Sequence, residues 1–264
     1  MYPFVMDSYY KIKEVRQNLI APVDVMGCYS VPSTVVDTKL YVLISLILSA
    51  QTKDEVTYQT MLNLCLFLNT KESNVRFTPL KVSYKIFSNI LYLKINSKIF
   101  RYEKKDGKIL GPEIELQENR LTLENLVNET NLKQLITPAG CYNKKYETIK
   151  SLVHFVLKNG YPSSLSECLS IKGIGRKISI LYLNKFYRLE GISVDTHVHR
   201  ICNLLYICKT KTPDETSKIL ETIIDMKEWS EFNSVLVGYG QVLCKPRGPK
   251  CTECIVKDNC SNFK

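Results

Sequence analysis

Four cysteines near the carboxyl end, spaced Cys244-x6-Cys251-x2-Cys254-x5-Cys260, constrain this chain more than any other feature. Short, unequal loops let four thiols converge on one centre, and thiolates so spaced hold either tetrahedral zinc or an iron–sulfur cluster. Zinc sites more often pair two x2 knuckles across a longer gap. Here one x2 pair is flanked by a single cysteine on each side, which favours a [4Fe-4S] cluster. The other cysteines, Cys28, Cys65, Cys141, Cys168, Cys202 and Cys208, lack such spacing and read mostly as small apolar fillers. No signal-peptide pattern follows Met1, so the thiols are expected to be reduced or metal-bound and the protein intracellular.

The chain has 264 residues, and its 36 Lys and Arg against 26 Asp and Glu give a formal charge of +10. That balance favours a polyanionic partner, nucleic acid ahead of an anionic membrane surface. The longest apolar run, Leu40 to Ala50, stops at Gln51 and is about half the ~20 residues needed to span a bilayer. It reads as a buried helix.

Period and capping signals predict a mostly helical protein. Helices are expected over Asp7 to Ile20 and Thr38 to Ser49, and over Thr52 to Phe67 behind a Thr52-x-x-Glu55 capping box. Lys144 to Asn159 should end at Gly160, and Ser164 should cap a short helix to Ser170. Further helices are expected from Asp195 and Thr196 to Leu205, from Pro213 to Met226 and from Glu228 to Cys244. Ser73 to about Glu118 differs: apolar and polar residues alternate, and Asp106-Gly107 marks a β-hairpin turn. This stretch is expected to be a solvated surface insertion, with its lysines as an alternative nucleic-acid surface.

Two further motifs carry chemistry. Ile171-Lys172-Gly173-Ile174-Gly175-Arg176-Lys177 joins a short helix to a longer one, and its glycine amides with the positive end of the second helix suit a phosphate oxygen. Beyond it, Val194-Asp195-Thr196-His197 sets a carboxylate at a helix start, where capping is the plain reading. Lys177 is equally ordinary as a solvated lysine. A lysine amine that has shed its proton is nonetheless a nucleophile.

The order of these motifs, with Leu48-Ser49-Ala50-Gln51-Thr52 and Gly140-Cys141-Tyr142-Asn143-Lys144-Lys145 upstream, resembles the endonuclease III family of helix-hairpin-helix DNA glycosylases. The resemblance implies an all-α, bilobed fold with the β-hairpin as an insertion. Its parts would be residues 1–35 packing on the cluster domain, a six-helix domain over 36–188 interrupted at about 73–118, and a cluster domain over 189–264. It also implies a monomeric, bifunctional glycosylase and AP lyase of base excision repair. Its partner would be double-stranded DNA carrying oxidised pyrimidines or abasic sites, with no membrane involved. The compartment would be a nucleus or mitochondrion in a eukaryote, or a prokaryotic cytoplasm.

By the same resemblance Lys177 would attack C1′ and Asp195 would assist it, while Cys244, Cys251, Cys254 and Cys260 would hold a [4Fe-4S] cluster. DNA would meet Gln51, Cys141, Asn143, Lys144, Lys172, Gly173, Gly175, Arg176 and Arg200. Two positions depart from the family. Ile171-Lys172 replaces a Leu-Pro pair before the hairpin, and Cys141 stands where the family commonly carries a bulky apolar wedge. Two other readings are an adenine-excising glycosylase of the same superfamily, which typically lacks a lysine at the 177 position, and a non-catalytic metal-bearing DNA-binding module, which would have no use for Lys177 and Asp195 together.

Overall fold

The computed structural model describes residues 3–70 and 79–263. The amino-terminal half carries α1 (Pro3–Arg16), α2 (Pro22–Met26), α3 (Thr38–Ser49) and α4 (Asp54–Phe67), followed by β1 (Val82–Phe87), β2 (Ile90–Ile95), β3 (Lys98–Lys105) and β4 (Lys108–Leu110). Then come α5 (Leu123–Val127), α6 (Leu132–Leu135), α7 (Tyr142–Asn159), α8 (Leu165–Ser170), α9 (Arg176–Phe186), α10 (Thr196–Leu204), α11 (Pro213–Ile223) and α12 (Trp229–Val242).

The first core forms around α3, whose residues from Leu40 to Leu48 are all buried. A helix apolar on every side must be surrounded, and α4, α7 and α9 pack on it. Asp37 caps it by accepting from the Leu40 amide at 3.0 Å. The second core joins the two ends of the chain. Tyr9 and Ile12 of α1 pack with Phe232, Leu236 and Tyr239 of α12 and with Val256 and Cys260 beyond it. The Tyr9 and Phe232 rings stack with centroids 4.6 Å apart.

The insertion is larger and better buried than the sequence suggests. Instead of one hairpin it forms a four-stranded antiparallel sheet in the order β1-β2-β3-β4. The Asp106-Gly107 turn joins β3 to β4 as expected, whereas Ser73 to Thr78 lie outside the described residues. The expected solvated insertion is corrected on one face: Leu91, Leu93 and Tyr102 are buried against Ile20, Val25 and Met26, and against Tyr58 and Leu62 of α4. Its turns also grip the segment after α1. The Asn89 side chain accepts from the Ile20 amide at 2.9 Å, and the Gly107 amide donates to the Gln17 carbonyl at 2.8 Å. In the same region Arg16 and Lys104 share Asp24, at 2.8 and 3.1 Å.

Smaller corrections have local causes. The first helix ends at Arg16, and α2 begins afresh with Pro22 in its first turn. The Thr52 capping box does not form, because the chain passes through left-handed Gln51 (φ 54°) and α4 starts only at Asp54. The Thr52 hydroxyl accepts from Lys145 Nζ instead, at 2.7 Å. Among the described residues, no helix is long and apolar enough to cross a membrane.

Candidate active site and cysteine loop

The glycine hairpin runs between α8 and α9 and is moored by Ile171 and Ile174, both buried in the first core. Lys172, Gly173 and Gly175 are left exposed. Gly173 has φ +92°, and a Cβ there would lie 2.0 Å from Thr148 Oγ1 of α7, so only glycine fits. Gly175 caps α9 with extended backbone and no side-chain hydrogen bond. No side chain therefore caps the first amides of α9, which leaves them available to an anion near exposed Lys172. Lys177 follows, exposed on the first turn of α9.

Asp195 is the cap of α10, and both of its cap bonds fall on Oδ1, from the amides of His197 at 2.8 Å and Val198 at 2.9 Å. Its other oxygen accepts no hydrogen bond among the described residues. Two neighbours report that Asp195 and Lys177 converge. Burial pushes the Asp54 carboxyl up to about 6, a hydrogen bond from Gln241 opposes that, and Glu55, Asp195 and Lys177 all add their charges. Burial lowers His197, and that ring too feels Asp195 and Lys177. Asp54, His197, Lys177 and Asp195 are thus electrostatic neighbours, with Cys28 near enough to sense Asp54 and Lys177. His197 fits beside α12 only because residue 240 is glycine: a Cβ there would meet Nδ1 at 2.6 Å.

Asp54 carries no motif of its own: in the sequence it lies inside the Thr52-x-x-Glu55 signal, with nothing to mark it as a neighbour of Lys177 and Asp195. Lys145, which closes the Gly140-to-Lys145 motif, turns out to be structural: its buried ammonium donates at 2.7 Å to both the Leu48 carbonyl and Thr52 Oγ1. That lysine fixes the Gln51 turn against the start of α7. As a result Gln51 and Cys141, both exposed and left-handed (φ 54° and 58°), stand together, with the Cys141 thiol 3.8 Å from Gln51 Oε1. Asn143 and Lys144 lie exposed beside them.

Two arginines expected at DNA also have partners within the protein. Arg176 forks onto Glu221 of α11 at 2.9 and 3.0 Å, tying the hairpin helix to the strand-like lead into Asp195. Arg200 donates to the Cys244 carbonyl, so it braces the cysteine loop.

In that loop the Cys244 thiol is pushed up by burial, pulled down by Arg200 and raised again by Cys260 and Cys254. These three sulfurs are therefore neighbours, and Tyr239 Oη lies 3.1 Å from Cys254 Sγ. Among the described residues no three His, Cys, Asp or Glu side chains are drawn together tightly enough to hold a metal ion. Four thiols from one short loop, three of them neighbours, are the all-thiolate donor set that an iron–sulfur cluster takes.

Residues 115–226 match the family model described as HhH-GPD superfamily base excision DNA repair protein. The endonuclease III homolog of Encephalitozoon cuniculi is 32% identical over 257 residues, covering 96% of this chain and 92% of that one. Endonuclease III-like protein 1 of Gallus gallus is 31% identical, covering 96% and 76%. A solved structure of a non-covalent endonuclease III–DNA complex shares the fold, with a TM-score of 0.67 at 18% identity, covering 98% of this chain and 94% of that one. The family model and these relatives make the chain a base excision DNA repair enzyme of the DNA glycosylase class. Within that class, the chain belongs to the endonuclease III family.

Proposed function

We propose that the chain is a bifunctional DNA N-glycosylase and AP lyase that removes oxidised pyrimidines such as thymine glycol and then cuts the strand 3′ to the abasic site. What supports this reading is that an exposed lysine and a carboxylate with one oxygen free lie near the same neighbours, Asp54 and His197, beside a glycine hairpin whose helix start has no side-chain cap. DNA phosphates would dock on Lys172 and on the amides around Gly173 and Gly175. Gln51 and Cys141 stand where side chains would fill the stack as the damaged nucleotide turns out.

The unprotonated Lys177 amine attacks C1′ as the glycosidic bond breaks, and the base leaves with the bonding electron pair and a proton. Asp195, as a carboxylate, faces through its free oxygen the positive charge that develops on the sugar, takes the proton that the attacking nitrogen loses and passes it to the departing base. The sugar opens to a Schiff base on Lys177. Loss of the C2′ proton then breaks the C3′–O bond and expels the 3′ phosphate, and water releases the lysine. Cys244, Cys251, Cys254 and Cys260 would hold a [4Fe-4S] cluster, which when bound supplies iron–thiolate bonds that fix the loop against the second core.

Borohydride trapping on a thymine-glycol duplex tests the assignment. Wild type should become covalently attached and Lys177→Gln should not, while still binding specifically. Asp195→Asn should slow excision about 100- to 10,000-fold yet remain trappable on a preformed abasic site. Wild-type trapping by Lys177→Gln would hand the nucleophile's role to another amine.

A further inference from the structure

The outer face of the inserted sheet takes no part in the cleft, and its chemistry is not that of an idle surface. The register places Lys85, Tyr92 and Arg101 in one row across β1, β2 and β3, with Ser83, Lys94 and Ile99 in the next row on the same face. Lys85, Lys94 and Arg101 are exposed, and Phe87 and Ile99 on that face are 74% and 65% exposed. Among the described strand residues the acid on this face is Glu103, whose 2.8 Å pair with Arg101 is itself solvent-exposed, so Arg101 loses little by changing partner. Lys81, Lys98, Lys105 and Lys108 add positive charge at the strand ends. Cations with apolar chains between them suit phosphates alternating with deoxyribose.

We infer that this face is a second DNA-contacting surface, holding the sugar–phosphate backbone of the same duplex where it leaves the cleft. Continuity supports that occupant: β1 packs on α4, and Tyr84 on the inner side of β1 senses the carboxylates of Glu55 and Asp54 at the start of that helix. The sheet therefore begins beside Asp54, the neighbour of Lys177 and Asp195. Lys85 and Arg101 are two strand spacings apart, about 10 Å, which corresponds to roughly three base-pair rises. The inference rests on DNA occupying the cleft as proposed above.

The test compares the full chain with a Lys85→Glu/Lys94→Glu/Arg101→Glu variant on two abasic-site duplexes, one just filling the cleft and one extended by about two helical turns. On the long duplex the variant should bind at least tenfold more weakly, and the slope of log affinity against log salt should fall by about two to three units. On the short duplex, which ends before the sheet, the two proteins should bind alike. A milder Lys85→Gln/Lys94→Gln variant, with an unchanged thermal melt, should lose roughly two units of slope on the long duplex. An unchanged slope there in either folded variant overturns the inference and leaves the face to some other partner. Failure of wild type to trap would instead strike the catalytic reading, and the long-duplex slope would still decide this one.

Discussion

Gln241 of α12 donates to Asp54 Oδ2 of α4 at 2.8 Å while its own Oε1 accepts from the Val23 amide at 3.0 Å. One amide side chain thereby links α4, α12 and α2 next to Lys177 and Asp195. The cost falls on Asp54, which is held as a carboxylate in a place that water reaches poorly.

The Asp54 carboxyl is raised from 3.8 to about 6, first of all by burial. The native state therefore keeps a proton that the unfolded chain has lost over this interval, and stability from this group is present at low pH and lost as pH rises through about 6. Asp54→Asn keeps an acceptor for Gln241 without the charge. It should stabilise the protein by something on the order of 1–3 kcal/mol at pH 7.5, and the gain should disappear near pH 4. Urea melts at the two pH values measure it, and equal stabilities at pH 7.5 would mean the carboxylate is fully solvated.

The inserted sheet should prove structural on one face only. Leu93 is fully buried between the sheet and α4, so Leu93→Ala should cost about 2–5 kcal/mol. Lys94, the next residue on the strand, points the other way, and Lys94→Ala should change stability by less than about 0.5 kcal/mol. Thermal melts of the pair decide whether this segment is part of the core; a mild effect at Leu93 would restore the reading of a solvated insertion.

Legibility in the sequence followed how local the determinant was. The bounds of α3 are written in its apolar run and its Asp37 cap, and α10 begins at Asp195 as its capping signal indicated. The sheet was only half visible because β2 reads Ile90-Leu91-Tyr92-Leu93, apolar on both faces, so the period that marks a half-buried strand is lost. Asp54 and Gln241 lie 187 residues apart and carry no motif. Arg176 and Arg200 sit in the right motifs, yet their partners, Glu221 and the Cys244 carbonyl, are supplied by distant segments.

Gly173 should separate DNA grip from chemistry. Gly173→Ala meets both an unfavourable φ of +92° and the Thr148 hydroxyl, so the hairpin must shift. A strain of about 1–3 kcal/mol corresponds to roughly 5- to 150-fold weaker DNA binding. Trapping at saturating abasic-site duplex should survive, because Lys177 is untouched. Adding Thr148→Ala removes the clash but not the backbone strain, and should recover only part of the affinity. Full recovery, or none, would show that one of these two causes acts alone.

The cysteine loop yields the sharpest chemical test. Protein purified under reducing, anaerobic conditions should be yellow-brown and contain about four irons and four acid-labile sulfides per chain. Cys254→Ser should bleach the colour and lower the melting temperature, because the loop would lose its iron–thiolate bonds to the second core. Cys208→Ser, at a thiol outside the loop, should keep its full iron content. Tyr239→Phe removes the hydroxyl 3.1 Å from Cys254 Sγ and should leave the iron in place but shift the cluster's reduction potential, since hydrogen bonds to cluster sulfur help set it. Stoichiometric zinc without sulfide would refute the cluster while leaving Lys177, Asp195 and the hairpin as they stand.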